Sequence, residues 1–134
     1  MIVLDTNVVS EVLKPLPDDK VLSWMKSIEA RTFVTAMTVS ELYAGVAILP
    51  EGRKKATLRT VLDRVLGMYS ILSFDFLAAQ EYAEVVSRRR QSGQPISTVD
   101  AQIAAVCRAN SAVCATRNVK DFENTGVRLI NPWD

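Results

Sequence analysis

Apolar residues along this chain follow two rhythms that alternate from one end to the other. Short unbroken apolar stretches, in "MIVL", "RTFVTA", "SILSF", "AVCAT" and "VRLIN", have the length and β-branched content of strands, and "MIVL" reads as a central strand buried on both faces. Between them the spacing turns helical. A short helix is expected from about Thr6 to Leu13, ended by Pro15 and Pro17. Asp18 and Asp19 open a second, in which Val21, Trp24, Met25 and Ile28 recur at helical intervals. "TVSELYAGVAIL" reads as a helix starting at Thr38 and interrupted at Pro50 and Gly52. Leu58, Val61, Leu62, Val65, Leu66 and Tyr69 then stand three and four apart. Asp75 caps a helix to about Arg90, and "QSGQP" is a loop. Ser97 or Thr98 caps the alanine-rich "VDAQIAAVCRA", whose small residues suit close packing on a sheet, and "NVKDF" is a short turn or helix before the last strand. Strands alternating with helices predict an α/β domain with a mainly parallel sheet. Right-handed crossovers place its helices on both faces.

Composition narrows the class. A chain of 134 residues is long enough for one domain, spanning 1–134, to bury a core without staples. No apolar stretch approaches a membrane span, and no basic segment leads into a long apolar one, so the expected location is cytoplasmic. Cys107 and Cys114 stand in apolar surroundings and read as small core residues. Histidine is absent, which removes His-activated nucleophiles, His acid–base catalysis and the usual zinc sites. Hydrolytic chemistry here must rest on carboxylates, hydroxyls, lysine or a hard metal ion. Net charge is +1, so no global field marks a nucleic-acid binder. The runs Arg53–Lys55 and Arg88–Arg90 are either solvated helix faces or local phosphate contacts.

Ligands of open parallel sheets bind beyond the carboxyl ends of the strands, near the point where strand order reverses. Polar residues just after strands are therefore the candidates. Asp5 follows "MIVL"; Thr116, Arg117 and Asn118 follow "AVCA", with Asp121 close behind; Glu41 in "TVSE" and Asp100 in "STVD" lie at helix starts. Each has an ordinary local explanation. Asp5 can be a simple N-cap, while Thr38 with Glu41 makes a capping box and Ser97 with Asp100 its Asp-bearing cousin. Jointly they say more. Like charges about 4 Å apart repel by about 4 kcal/mol at an effective dielectric of about 20, so a converging cluster either protonates a member or binds a cation. With no histidine and no paired cysteine ligands, that cation is hard, Mg²⁺ or Mn²⁺ rather than zinc. Hydrolysis of a phosphodiester is the matching reaction type.

Four stretches, "IVLDTNVVSEVLKP", "TAMTVSELYAGVA", "ISTVDAQIAAVCRANSAVCATRNVKDF" and "LINPWD", closely resemble the VapC-type toxins of the PIN-domain ribonuclease family, most of all the subgroup of FitB-like proteins. The likeness runs over nearly the whole chain. It implies a three-layer α/β/α domain, a Mg²⁺- or Mn²⁺-binding acid cluster and endonucleolytic hydrolysis of RNA. By the same comparison Asp5 and Asp100 are the principal metal ligands, with Glu41 completing the ion's shell or orienting the attacking water. Many relatives carry an acid directly after the Thr-Arg pair, where this chain has Asn118; Asn keeps a ligating oxygen without the charge, which leaves one-metal and two-metal schemes open. Asp121 reads as a surface acid. Thr6, Asn7 and Thr116 match positions that orient ligands through hydrogen bonds, or else cap their helices and turns, and Arg117 is the better-placed candidate for substrate phosphate.

The resemblance further implies a small antitoxin protein as partner and a homodimer. Trp24, Met25 and Ile28 are either a core-facing stripe or a patch for a partner's helix. Two other functional classes stay open at this point: a PIN-like module that binds RNA or protein without cleaving, and a metal-dependent phosphatase of small phosphoesters.

Overall fold

The computed structural model describes residues 1–28 and 30–134. Five strands, β1 (Ile2–Leu4), β2 (Thr32–Thr35), β3 (Ser70–Leu72), β4 (Val113–Ala115) and β5 (Leu129–Ile130), form a sheet in the order β3-β2-β1-β4-β5. All four pairings are parallel. The chain builds outward from β1 to β2 and β3, then returns to lay β4 and β5 on the other side. Strand order therefore reverses between β1 and β4, whose ends are in register at Leu4 and Ala115.

The helices are α1 (Thr6–Val12), α2 (Asp19–Ser27), α3 (Ala36–Ala47), α4 (Arg53–Leu66), α5 (Phe76–Gln91), α6 (Thr98–Ala109) and α7 (Val119–Phe122). They cover both faces of the sheet, as a three-layer α/β/α fold requires. Along β1 the side chains alternate between the two cores, because successive residues of a strand point to opposite faces. Val3 joins Phe33, Val85, Ile103, Ala104, Cys114 and Phe122 beneath α5 and α6. Ile2 and Leu4 join Val8, Val9, Val34, Leu62 and Leu66 beneath α1 and α4. The unbroken apolar run at the N-terminus thus fills both faces at once. Alanines and Cys107 line the buried side of α6 and let it lie close on the sheet. Both cysteines are free and buried, as their apolar surroundings predicted.

One boundary differs from expectation in a way that matters for the site. The helix expected to start at Thr38 starts at Ala36, with Thr35 as its N-cap. Thr35 Oγ1 accepts from the Thr38 N–H at 3.2 Å, so strand β2 runs into α3 with no loop between them. Glu41 then lies in the second turn, beyond a capping box, and its placement needs another cause. Trp24, Met25 and Ile28 are half-buried against the core beneath α1 and α4, on the core-facing side of α2.

Candidate functional site

Asp5 follows the last residue of β1 and caps α1, and it does so with unusual investment. Its Oδ1 accepts from the Thr6 N–H at 2.8 Å. Its Oδ2 accepts from Thr116 Oγ1 at 2.8 Å and from Asn7 Nδ2 at 3.2 Å. Thr116 follows β4, so the β1–β4 pairing is what brings hydroxyl and carboxylate together across 111 positions of sequence. The side chain is only 5% exposed, yet no cation pairs with it among the described residues. Burial pushes its pKa above the ordinary aspartate value; the bonds from Thr116 and Thr6 oppose that, and the charges of Asp100 and Glu41 add to it.

Glu41 is oriented by a chain of threonine hydroxyls. Thr6 Oγ1 donates to Glu41 Oε1 at 2.7 Å. A hydroxyl has one proton, so in the 3.0 Å contact of Thr6 with Thr38 it is Thr38 that donates. That commits the Thr38 proton, and Thr35 in turn donates to Thr38 at 3.4 Å. Each bond in Thr35, Thr38, Thr6, Glu41 therefore points its positive end toward the carboxylate, and such chains reinforce one another. Among the described residues Glu41 Oε2 has no protein partner.

Asp100 lies in the first turn of α6, where Ser97 is the cap and accepts from the Asp100 N–H at 3.1 Å. Its carboxyl pKa is raised, chiefly by burial. Asp121 and Glu41 push it further up, while Ser97 and Arg89 pull against them. Asp121 thus reaches the group electrostatically while its own side chain is exposed and stands outside the cavity wall.

Asp5, Glu41, Asp100 and Asn118 open onto one cavity of about 400 Å³ at the carboxyl end of the sheet, beside the reversal of strand order. Thr6, Asn7 and Arg117 line it as well, and Thr116 is buried just behind. Asn118 is the N-cap residue of α7, but its side chain makes no capping bond and remains available; its N–H donates to Thr116 Oγ1 at 3.0 Å. Asn7 holds the far wall through its Oδ1, which accepts from the Arg117 N–H at 3.2 Å. The Arg117 guanidinium stacks over the Trp133 ring, 5.1 Å from its centre.

Sequence reasoning left out Ser10, Glu11, Lys14 and Trp133, which complete the wall. A signal was present: Asn7, Ser10, Glu11 and Lys14 recur at helical spacing opposite Val8, Val9 and Val12, a polar stripe on an otherwise apolar helix. Glu11 is buried, accepting from Lys14 Nζ at 2.9 Å and from the Asp18 N–H at 3.0 Å. Those two bonds hold its carboxyl below the ordinary glutamate range. Glu11 is thereby neutralised, whereas Asp5, Glu41 and Asp100 have no such partner among the described residues.

The basic runs divide on inspection. Lys55 pairs with Glu51 and Arg88 with Glu84. Arg89, a candidate phosphate contact by sequence, is 4% exposed and bonded to four main-chain carbonyls, so it reaches no ligand in solution.

The donor set is wholly oxygen, three mutually repelling carboxylates and an amide, which fits a hard divalent cation. Among the described residues no three acids stand close enough to cage an ion unaided. Mg²⁺ characteristically keeps several waters and takes one or two carboxylates, so an ion here would need water to complete its shell.

Residues 2–127 match the PIN domain family model. The chain is 40% identical to the plasmid stability protein StbB of Pseudomonas syringae pv. tomato, over 100% of this chain and 99% of the relative. It is 38% identical to the VapC ribonuclease Y4jK of Sinorhizobium fredii, again over 100% and 99%, and 39% identical to Toxin FitB of Neisseria gonorrhoeae over 99% of each. It superposes on the crystal structure of FitAcB from Neisseria gonorrhoeae with a TM-score of 0.92 at 39% identity, covering 99% of both chains. Against VapBC-5 of Mycobacterium tuberculosis, a member of the VapBC family of toxin–antitoxin systems, the TM-score is 0.72 at 25% identity over 96% of each chain.

Proposed function

The chain belongs to the PIN domain family, and on that premise we propose that it is a Mg²⁺- or Mn²⁺-dependent endoribonuclease, the toxin of a toxin–antitoxin pair. The observation that carries this reading is a set of acids with no ion-pair partner among the described residues: Asp5, Glu41 and Asp100, delivered by three separate elements, face one open cavity. Asp5 and Asp100 are the principal ligands, with Glu41 and the Asn118 amide oxygen beside them. An ion held there would supply Lewis acidity for phosphodiester hydrolysis. The rest falls to the chain. Thr116, Asn7 and the Thr6 N–H fix the Asp5 carboxylate, and Thr6 fixes one oxygen of Glu41. That leaves Glu41 Oε2 to hold the attacking water and take its proton. Arg117, braced on Trp133, meets the substrate phosphate at the rim. This reading places the protein in the cytoplasm, where an RNA-cleaving toxin would meet cellular RNA.

The relatives bearing toxin names support an antitoxin partner. An apolar groove of about 390 Å³, walled by Leu13, Leu42, Val46, Leu58 and Val61, adjoins the cavity at Thr6, Ser10 and Glu41 and suits a partner's apolar segment. Phe76, 75% exposed, and Leu77 lie just after the edge strand β3 and offer apolar surface for a second copy.

A second reading rests on Asn118. With an amide at the fourth position, the domain could bind RNA or protein without cleaving. Both readings meet one experiment: a mixed RNA pool incubated with purified, partner-free protein in Mg²⁺ or Mn²⁺, beside excess EDTA and beside Asp100→Asn. Cleavage that needs metal and vanishes in the variant supports the nuclease. No cleavage by folded protein moves the assignment to the binding module, and equal cleavage by both proteins exposes a contaminant.

A further inference from the structure

We propose that Arg89 is a positioning residue for the metal cavity, its buried guanidinium clamping together the two segments that carry Asp100 and Asn118. This rests on the metal-site reading above and assigns the site one more determinant, on a helix that contributes nothing to the cavity wall.

Arg89 stands in the last turn of α5. Its Nε donates to Gln94 O at 3.0 Å and its Nη2 to Pro95 O at 2.8 Å. Its Nη1 donates to Lys120 O at 3.1 Å and to Glu123 O at 2.7 Å. Gln94 and Pro95 form the approach to Ser97, the cap that opens α6 and sets Asp100 in the first turn. Lys120 and Glu123 belong to α7 and its C-cap, and the N-cap of α7 is Asn118. One side chain therefore bonds both segments, while no carboxylate pairs with it among the described residues. A second tie joins the same pair, from Asn124 Nδ2 to Gln94 Oε1.

Neither segment can hold itself. The first is a loop, and α7 is a single turn of four residues, too short to be stable alone. A buried charge is tolerated only when its hydrogen-bonding capacity is met, and here four of the five guanidinium N–H donors are engaged by main-chain carbonyls. The planar fork fixes four directions at once, which a lysine ammonium on a flexible stem does not. The geometry sets the separation of the two loops, and through them that of Asp100 and Asn118.

The test compares Arg89→Lys with Pro95→Gly and with Val85→Ala, a core truncation one turn earlier on the same helix. Pro95→Gly keeps the guanidinium and all four of its carbonyl acceptors, so it separates loss of the clamp from loss of loop stiffness. Mn²⁺ binding to metal-free protein is measured by calorimetry, alongside thermal melts and amide exchange at residues 97–101 and 117–123. Arg89→Lys should weaken Mn²⁺ by about tenfold or more, the usual effect of removing support behind a ligand, while Pro95→Gly stays within about threefold of wild type, with faster exchange in Arg89→Lys confined to those segments. Val85→Ala should melt as early as Arg89→Lys does and bind Mn²⁺ normally. Wild-type affinity in Arg89→Lys, or equal weakening in Val85→Ala, overturns the proposal, and Arg89→Gln, too short to bond both segments, decides if Arg89→Lys does not fold. A wild-type chain that binds Mn²⁺ but leaves RNA intact defeats the nuclease reading without touching this one. If wild type binds no Mn²⁺ the metal reading fails, and exchange unchanged in both segments would then defeat the clamp as well.

Discussion

Thr116→Val removes one hydroxyl from the least exposed part of the site. Thr116 is fully buried, donates to Asp5 Oδ2 at 2.8 Å and accepts from the Asn118 N–H at 3.0 Å. A hydrogen bond to an ionised group contributes about 1.5–3 kcal/mol. Asp5 keeps its bonds from the Thr6 N–H and Asn7, and exposed Asn118 can turn its N–H to water, so the loss should fall near the low end, about 2 kcal/mol. For a domain of this size that corresponds to a fall in Tm of roughly 6–10 °C. Thr116→Ser is the informative partner, because it keeps the hydroxyl and loses one buried methyl, worth about 0.8 kcal/mol. Both variants are measured by thermal melts without metal and by Mn²⁺ calorimetry. The valine variant should lose about tenfold or more in Mn²⁺ affinity, and the serine variant should stay within about threefold of wild type. Equal Mn²⁺ affinities in the two, or a valine variant as stable as wild type, would refute the idea that this hydroxyl sets the carboxylate.

Three further outcomes follow from the same geometry. Thr38→Val breaks the hydroxyl chain and strands the buried Thr35 proton, a loss of about 1–3 kcal/mol; melts should show it, and cleavage should fall through kcat while KM holds, as Glu41 loses its bias. Glu11→Gln tests a lowered pKa: the folded protein favours ionised Glu11, so the stability it contributes is fully present above its ordinary value of 4.5 and is lost as pH falls through the folded value. Urea titrations should therefore find wild type more stable than the variant at neutral pH, with the gap closing in acid; a constant gap would mean that Lys14 and the Asp18 N–H are not what lowers the pKa. Asn118→Asp adds a fourth carboxylate, so it should melt earlier than wild type in EDTA, bind Mn²⁺ more tightly and gain more in Tm from the ion. Tighter binding without that penalty would place residue 118 outside the reach of the other acids.

The order and type of elements were legible along the chain because they depend on neighbours. An apolar run of strand length between turn residues, or apolar positions three and four apart, states its own partner surface, and each expected strand and helix is present. Asp5 and Asp100 stood out as candidates for the same reason, since one follows a strand and the other lies in the first turn of a helix, whereas Glu41 stood out through a capping box that α3 does not use. The boundary at Thr38 was not legible. Thr35 and Thr38 both stand three residues before a possible capping partner, and the choice between them depends on Thr38 meeting Thr6, 32 positions away. Nor could the run Arg88–Arg90 reveal that its middle member is buried and its neighbours exposed, because α5 becomes one-sided only when α6 and α7 pack on it. The polar stripe Asn7, Ser10, Glu11, Lys14 was readable in principle, but a polar stripe is usually just the wet side of a helix.

What the sequence alone determined is therefore the set of parts and the residues at their ends. Tertiary structure decided which ends meet. Propensity, capping and periodicity act over a few residues, while the bond from Thr116 to Asp5 and the hydroxyl relay to Glu41 exist only because β1 lies between β2 and β4.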